Sequence, residues 1–196
     1  MNKYSYIVLF LLLLNACQSH KAVSDKEIYS LLEICYEDYY LNYDVEVTPL
    51  LNEFELLLLN EGHLFDTTGK AYQSLFDTLL VNDYFNLPLK MENFNSVLLY
   101  KNPSDIMACA TTTFSLDSMA IMELNFSKVM QEINHKIMQE EEVSIHFFFD
   151  LYKRRLSEDE IRKPYIKQSV LLLLYRWYFK SKYDRVIQIK ESHKIE

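Results

Sequence analysis

Thr48-Pro49-Leu50-Leu51-Asn52-Glu53-Phe54-Glu55-Leu56-Leu57-Leu58-Leu59-Asn60-Glu61-Gly62 is the stretch whose reading decides the fold. Thr48 is a good helix N-cap and Pro49 suits the first helical position, where its missing N–H has no partner to lose. Gly62 suits the left-handed residue that closes a helix. Between them Leu50, Leu51, Phe54, Leu57 and Leu58 fall on one side, and Leu56 and Leu59 widen that side. So broad an apolar arc predicts a central helix. After His63-Leu64-Phe65-Asp66 a second helix is expected from Thr67 or Thr68 to about Asn82, with Tyr72, Leu75, Phe76, Leu79 and Leu80 at helical spacing. A short turn between the two predicts a helical hairpin.

Upstream, Ser24 and Glu27 have capping-box spacing, which predicts a helix from Ser24 to about Tyr43. Ile28, Leu31, Cys35 and Tyr39 form one stripe on it, and Tyr29, Leu32, Tyr36, Tyr40 and Tyr43 form another. Downstream the pattern is mixed. Ser96–Tyr100 is expected as a short strand, Ser104–Ala110 as a brief helix and Thr111–Thr113 as extended chain or a turn. A long helix is expected from Asp117, with Met122, Phe126, Val129, Ile133 and Ile137 on one side, ending before the acidic run Glu140–Glu142. Val143–Phe149 alternates Ile145, Phe147 and Phe149 against Ser144, His146 and Phe148, the period of a strand. Ser157 and Glu160 make a second capping box, and Pro164 either kinks a helix or starts one. Ile166–Phe179 is expected as a buried helix and Asp184–Lys190 as a strand. The predicted class is therefore mainly α with a few short strands (α+β), with five to six helices around the central hairpin.

Glycine occurs only at positions 62 and 69, which leaves no phosphate loop or dinucleotide fingerprint. Lys153-Arg154-Arg155 is the one short basic cluster in an acidic chain, so nucleic-acid binding is excluded on charge.

The N-terminus reads differently from the rest. Lys3 precedes the apolar run Tyr6–Leu14, and Asn15-Ala16-Cys17 follows. A charged start, a short apolar core and a small residue before the cut describe a secretory signal, too short to span a bilayer. Leu14-Asn15-Ala16-Cys17 resembles the lipobox of bacterial lipoproteins, with Asn15 standing where that motif has a small residue. The resemblance covers residues 1–17. It implies cleavage before Cys17, lipid on that cysteine and acylation of the new amino terminus. The expected organisation is a signal peptide at 1–16, a lipidated tether at 17–23, one globular domain at 24–190 and a frayed tail at 191–196. Gln18 rather than Asp after the cysteine favours outer over inner membrane, and Gln18-Ser19-His20-Lys21 lacks the acidic cluster of surface export, so a periplasm-facing anchor is expected. The mature chain would carry 19 basic and 28 acidic side chains, a net charge of −9 with His neutral.

Candidate chemistry is sparse. Cys35 and Cys109 either pair, as an oxidising envelope allows, or sit as buried thiols. His63 with Asp66 reads as a polar turn, and His146 with Asp150 would lie about 13 Å apart along a strand, too far for one ion. No catalytic or metal motif is present and no cofactor is implied. The adjacent acids Glu37-Asp38, Glu140–Glu142 and Glu158–Glu160 read as solvated surface. Tyr29, Tyr36, Tyr40 and Tyr43 form a possible binding face, against the alternative of a core face with hydroxyls at its rim. The functional expectation is a non-catalytic, lipid-anchored protein that binds another envelope protein. The alternatives are an immunity or inhibitor protein against a toxin or hydrolase, and an enzyme with an unrecognised site.

Overall fold

The computed structural model describes residues 23–82, 87–89, 95, 98, 103–139 and 143–192. The signal peptide, Cys17, most of the tether and four of the five residues of the expected strand at 96–100 lie outside them. Every regular element among the described residues is a helix: α1 (Asp25–Leu41), α2 (Val47–Asn60), α3 (Gly69–Val81), α4 (Pro103–Thr113), α5 (Ser118–Glu123), α6 (Asn125–Gln139), α7 (Ile145–Arg155), α8 (Glu158–Ile161) and α9 (Pro164–Ser192). The α+β expectation, with its few strands, is overturned, and the helices outnumber the five or six expected.

Each misread segment has a local reason. At 143–149 the apolar residues fit a period of two, but Ile145, Phe148, Phe149 and Tyr152 also fit a helical face. Ser144 caps that helix, accepting from the His146 N–H at 3.2 Å, and Lys153-Arg154-Arg155 close it with charges that favour its negative end. Thr111 and Thr112 lie in the last turn of α4, where their hydroxyls donate to the Ala108 carbonyl at 3.1 and 2.7 Å rather than drawing the chain into an extended form. From Pro164 no further proline or glycine interrupts the chain, and α9 runs through 184–190 to Ser192. Pro164 starts this helix rather than kinking it.

The helix expected from Asp117 is broken at Leu124, whose ψ is 139°. The break lets the Asn125 amide donate to the Arg155 carbonyl at 2.6 Å and to Glu160 at 3.1 Å. Glu160 in turn completes the capping box with Ser157. One side chain thus joins the start of α6, the end of α7 and the cap of α8.

α2 starts at Val47, ahead of the expected cap, and the Thr48 hydroxyl instead accepts from the Gln168 amide of α9. The far end is as expected. Gly62 has φ 75°, its N–H donates to Leu59 at 3.1 Å, and the His63 N–H donates to Leu58 at 2.8 Å. These two bonds make a Schellman closure. The connection that follows, residues 61–68, is longer than a helical hairpin uses, and Leu64 is buried within it. α3 therefore packs mainly on α7 and α8, with a lighter contact to α2. Gly69 permits the approach to α8, since a Cβ there would sit 2.1 Å from the Glu158 carbonyl oxygen. The centre of the fold is α9, against which α1, α2 and α8 pack. Between residues 165 and 179 it is largely buried, through Ile166, Val170, Leu171, Leu174, Tyr178 and Phe179.

Candidate functional site

Three of the four tyrosines proposed as a binding face are core residues. Tyr29, Tyr36 and Tyr40 are at most 4% exposed, and Tyr43 alone is open to solvent. Their stripe faces α9. Tyr36 meets Tyr165 edge-on at 5.9 Å and Tyr40 at 5.1 Å. Tyrosine supplies large apolar area with one polar atom to place, so such a stripe serves a core when its hydroxyls have a polar neighbour. Here the neighbour is Arg176 of α9, which lies close enough to Tyr36, Tyr39, Tyr40 and Tyr152 to act on their charge state. Burial pushes the Tyr40 phenol up to about 12, against the opposing pull of Arg176. Burial likewise raises Tyr36 and Tyr152, so all three stay neutral at any physiological pH.

Cys35 of α1 and Cys109 of α4 form a disulfide with Cα atoms 5.8 Å apart, closing a separation of 74 residues. It fastens α1 to α4, one of the closest-packed helix pairs.

The histidine candidates do not converge on a site. Asp66 accepts from the Thr68 N–H at 2.7 Å and the Thr68 hydroxyl at 2.5 Å, and Thr68 caps α3. Those bonds hold the Asp66 carboxyl below its ordinary range. His146 and Asp150 lie one turn apart on helix α7, not 13 Å apart on a strand, and Asp150 binds Arg154 at 2.7 Å. Among the described residues no three His, Cys, Asp or Glu side chains gather as a metal site would need. One buried ionic group escaped the sequence reading. Glu55 of α2 accepts from the Tyr72 hydroxyl at 2.5 Å and from Lys167 at 2.9 Å, tying α2, α3 and α9 together. Every partner is accounted for, as in a structural ion pair.

What remains as a surface feature is charge. Residues 23–66 hold eleven acidic side chains and one basic one, Lys26. Asp25, Glu27, Asp38, Asp44, Glu46, Glu53 and Glu61 are exposed, and Glu33 and Glu37 are half-buried. Apolar side chains stand among them: Ile34 and Leu41, in line with Asp38 on the outer face of α1, Tyr43 after it, and Leu56 on α2. These four are 46–57% exposed. Asp44, at φ 57°, turns the chain between the two helices. Burial, with each carboxylate beside another, lifts the Glu37 carboxyl above its ordinary value, and burial lifts Glu33. The signal for this face was present in the sequence as the charge asymmetry between the first third and the rest.

Comparison with protein-family models, with curated proteins and with solved structures finds no match for this chain.

Proposed function

We propose that this chain is a lipid-anchored cell-envelope protein that acts without catalysis by binding another protein, and that a basic partner docks on the acidic face of α1 and α2. The observation that carries the reading is that face: seven exposed and two half-buried acids against one lysine, Lys26, interspersed with exposed Ile34, Leu41, Tyr43 and Leu56. Exposed apolar residues supply contact area, and surrounding charge of one sign steers and selects a partner of the other. The disulfide fits the oxidising compartment that export through a lipobox would reach. Among the described residues no helix is long and apolar enough to cross a membrane, so lipid on Cys17 is the anchor proposed, by resemblance, for residues 1–17.

The test is crosslinking and capture from envelope membranes with the lipidated chain, beside a variant with Glu27, Asp38, Asp44 and Glu53 changed to Lys. The expected result is a specific partner of basic pI whose association slows as salt rises and which the variant loses. Capture equal for both chains, or a partner of acidic pI, counts against the reading. Incorporation of labelled palmitate that survives Cys17→Ser would refute the anchor separately. The same face favours one second reading, an immunity or inhibitor protein whose basic partner is a toxin or hydrolase reaching the periplasm. Protection of cells in co-expression separates it from an accessory subunit.

A further inference from the structure

A cavity of about 100 Å³ lies at the junction of α6, α7 and α9. Met130, Ile133, Phe148, Leu172 and Leu173 wall it with apolar atoms, and its polar members are Tyr152, Ser169 and Arg176. Two of these have contacts elsewhere: Ser169 donates to the Tyr165 carbonyl at 2.9 Å, and the Tyr152 hydroxyl points at the Met130 sulfur, 3.8 Å away. Arg176 is different. Its Nε donates to the Leu98 carbonyl, while Nη2 is sealed from solvent without a hydrogen-bond partner. Among the described residues no carboxylate pairs with it; the charged-state neighbours are the phenols of Tyr40, Tyr36, Tyr152 and Tyr39.

A guanidinium cannot shed its charge at accessible pH. With its Nη2 sealed from water and no counter-ion among the described residues, it carries a cost that a countercharge would reduce. The phenols around it are neutral and cannot neutralise the arginine. The half-buried members of the wall, Met130, Phe148, Leu173 and Arg176, mark the side on which the cavity opens. One cation with a sealed, unpartnered N–H group and apolar walls match an anion with one charge, two coplanar acceptor oxygens and a short hydrocarbon part. A phosphate dianion would keep half its charge unpaired against these walls.

We propose that this cavity receives a small monocarboxylate, with the carboxylate on Arg176 and a tail of a few carbons against Ile133, Phe148 and Leu172. The cavity holds several times the space one water needs, which suits acids from acetate to butyrate. The carboxylate could belong to a free acid or to the C-terminus of a peptide ending in a small residue. The chemistry is the same for both.

The experiment is a titration of the full-length chain, read by ligand-observed NMR and by melting temperature. The probes are acetate, propionate and butyrate to about 20 mM, a range that reaches the weakest specific affinities, with propionamide and phosphate as controls. Saturable binding is expected for the acids, tightening with tail length, and absent for the controls. Arg176→Met keeps the side chain's bulk, removes the charge and should weaken butyrate binding about tenfold or more. Leu173→Trp leaves Arg176 intact, fills the mouth of the cavity and should abolish binding in a folded chain, so the test stands even if Arg176→Met fails to fold. An N-acetylated tripeptide ending in alanine that binds more tightly than butyrate, and loses this on amidation, assigns the site to peptide termini. Weaker binding than butyrate assigns it to free acids. No saturable binding of any acid, or equal binding by wild type, Arg176→Met and Leu173→Trp, overturns the proposal.

Discussion

Removing the Cys35–Cys109 bridge tests how the fold is held. The bond closes a separation of 74 residues. Opening it returns loop entropy to the unfolded chain worth about 4.4 kcal/mol at 25 °C by the chain-entropy relation. Native-state packing adds to this, because Cys35 is 1% exposed and its sulfur is lost from the core. Residual structure in the unfolded chain subtracts from it. The double variant Cys35→Ala/Cys109→Ala should therefore lose about 3–5 kcal/mol, a large share of the stability of a domain this size. Urea unfolding followed by circular dichroism measures it. The midpoint should fall and the slope m should rise, since the released chain exposes more surface when unfolded. Wild-type chain in excess dithiothreitol should unfold at nearly the same urea concentration. A loss below about 1 kcal/mol with m unchanged would refute the reasoning, for the cross-link would then constrain nothing the unfolded chain explores.

Three further outcomes follow from the same structure. Lys167→Met strands the buried Glu55 carboxylate with the Tyr72 hydroxyl alone, and should cost about 1–3 kcal/mol. Adding Glu55→Met should recover part of it, which a double-mutant cycle in urea would read. Gly69→Ala forces a Cβ against the Glu158 backbone and should cost about 1–3 kcal/mol; Gly62→Ala, which meets nothing within 4 Å but keeps φ at 75°, should cost only about 1–2 kcal/mol. Glu33 and Glu37 have folded-state pKa values raised by burial. The native chain therefore holds protons that the unfolded chain has released. Their contribution favours folding on the acid side and is lost as pH rises from the unfolded pKa through the folded one. Glu33→Gln/Glu37→Gln should stabilise the fold at pH 7 more than at pH 4, by less than about 1 kcal/mol given their exposure, which melting curves at the two pH values would read. An equal effect at both values would show that neither carboxylate is desolvated.

The fold was legible where capping chemistry and periodicity agreed. Ser24, Gly62, Thr68, Ser157 and Pro164 all mark helix ends close to where the residues place them. It was illegible where a short apolar run fitted two periods. Ile145–Phe149 is too short for its alternation to exclude a helix, and only the following Leu151–Tyr152 and the basic closing turn resolve it. The hairpin failed for another reason: Gly62 ends α2 correctly, but nothing local says that Leu64 is drawn into the core and sends α3 to different neighbours. At the candidate sites, the whole-chain net charge hid the acidic face, which shows only when the charge is counted along the chain, and its apolar members were missed because Ile34 and Leu41 look like any other helical apolar residues. Tyr36 and Tyr40 resembled a recognition surface because their spacing is that of a helix face; which face is covered depends on α9, over a hundred residues away.

The bridge between α1 and α4 also decides how the molecule bears a load. A pull from the N-terminal side enters at α1 and crosses to α4 through Cys35 and Cys109, so residues 36–108 carry none of it. About 250 Å of potential extension is locked away in that bypass, and α1 can slide but not unravel past its eleventh residue. A pull applied between the N-terminal side and a point beyond Cys109 would load the first ten residues of α1 and the helices after Cys109, and leave α2 and the rest of α1 outside its path.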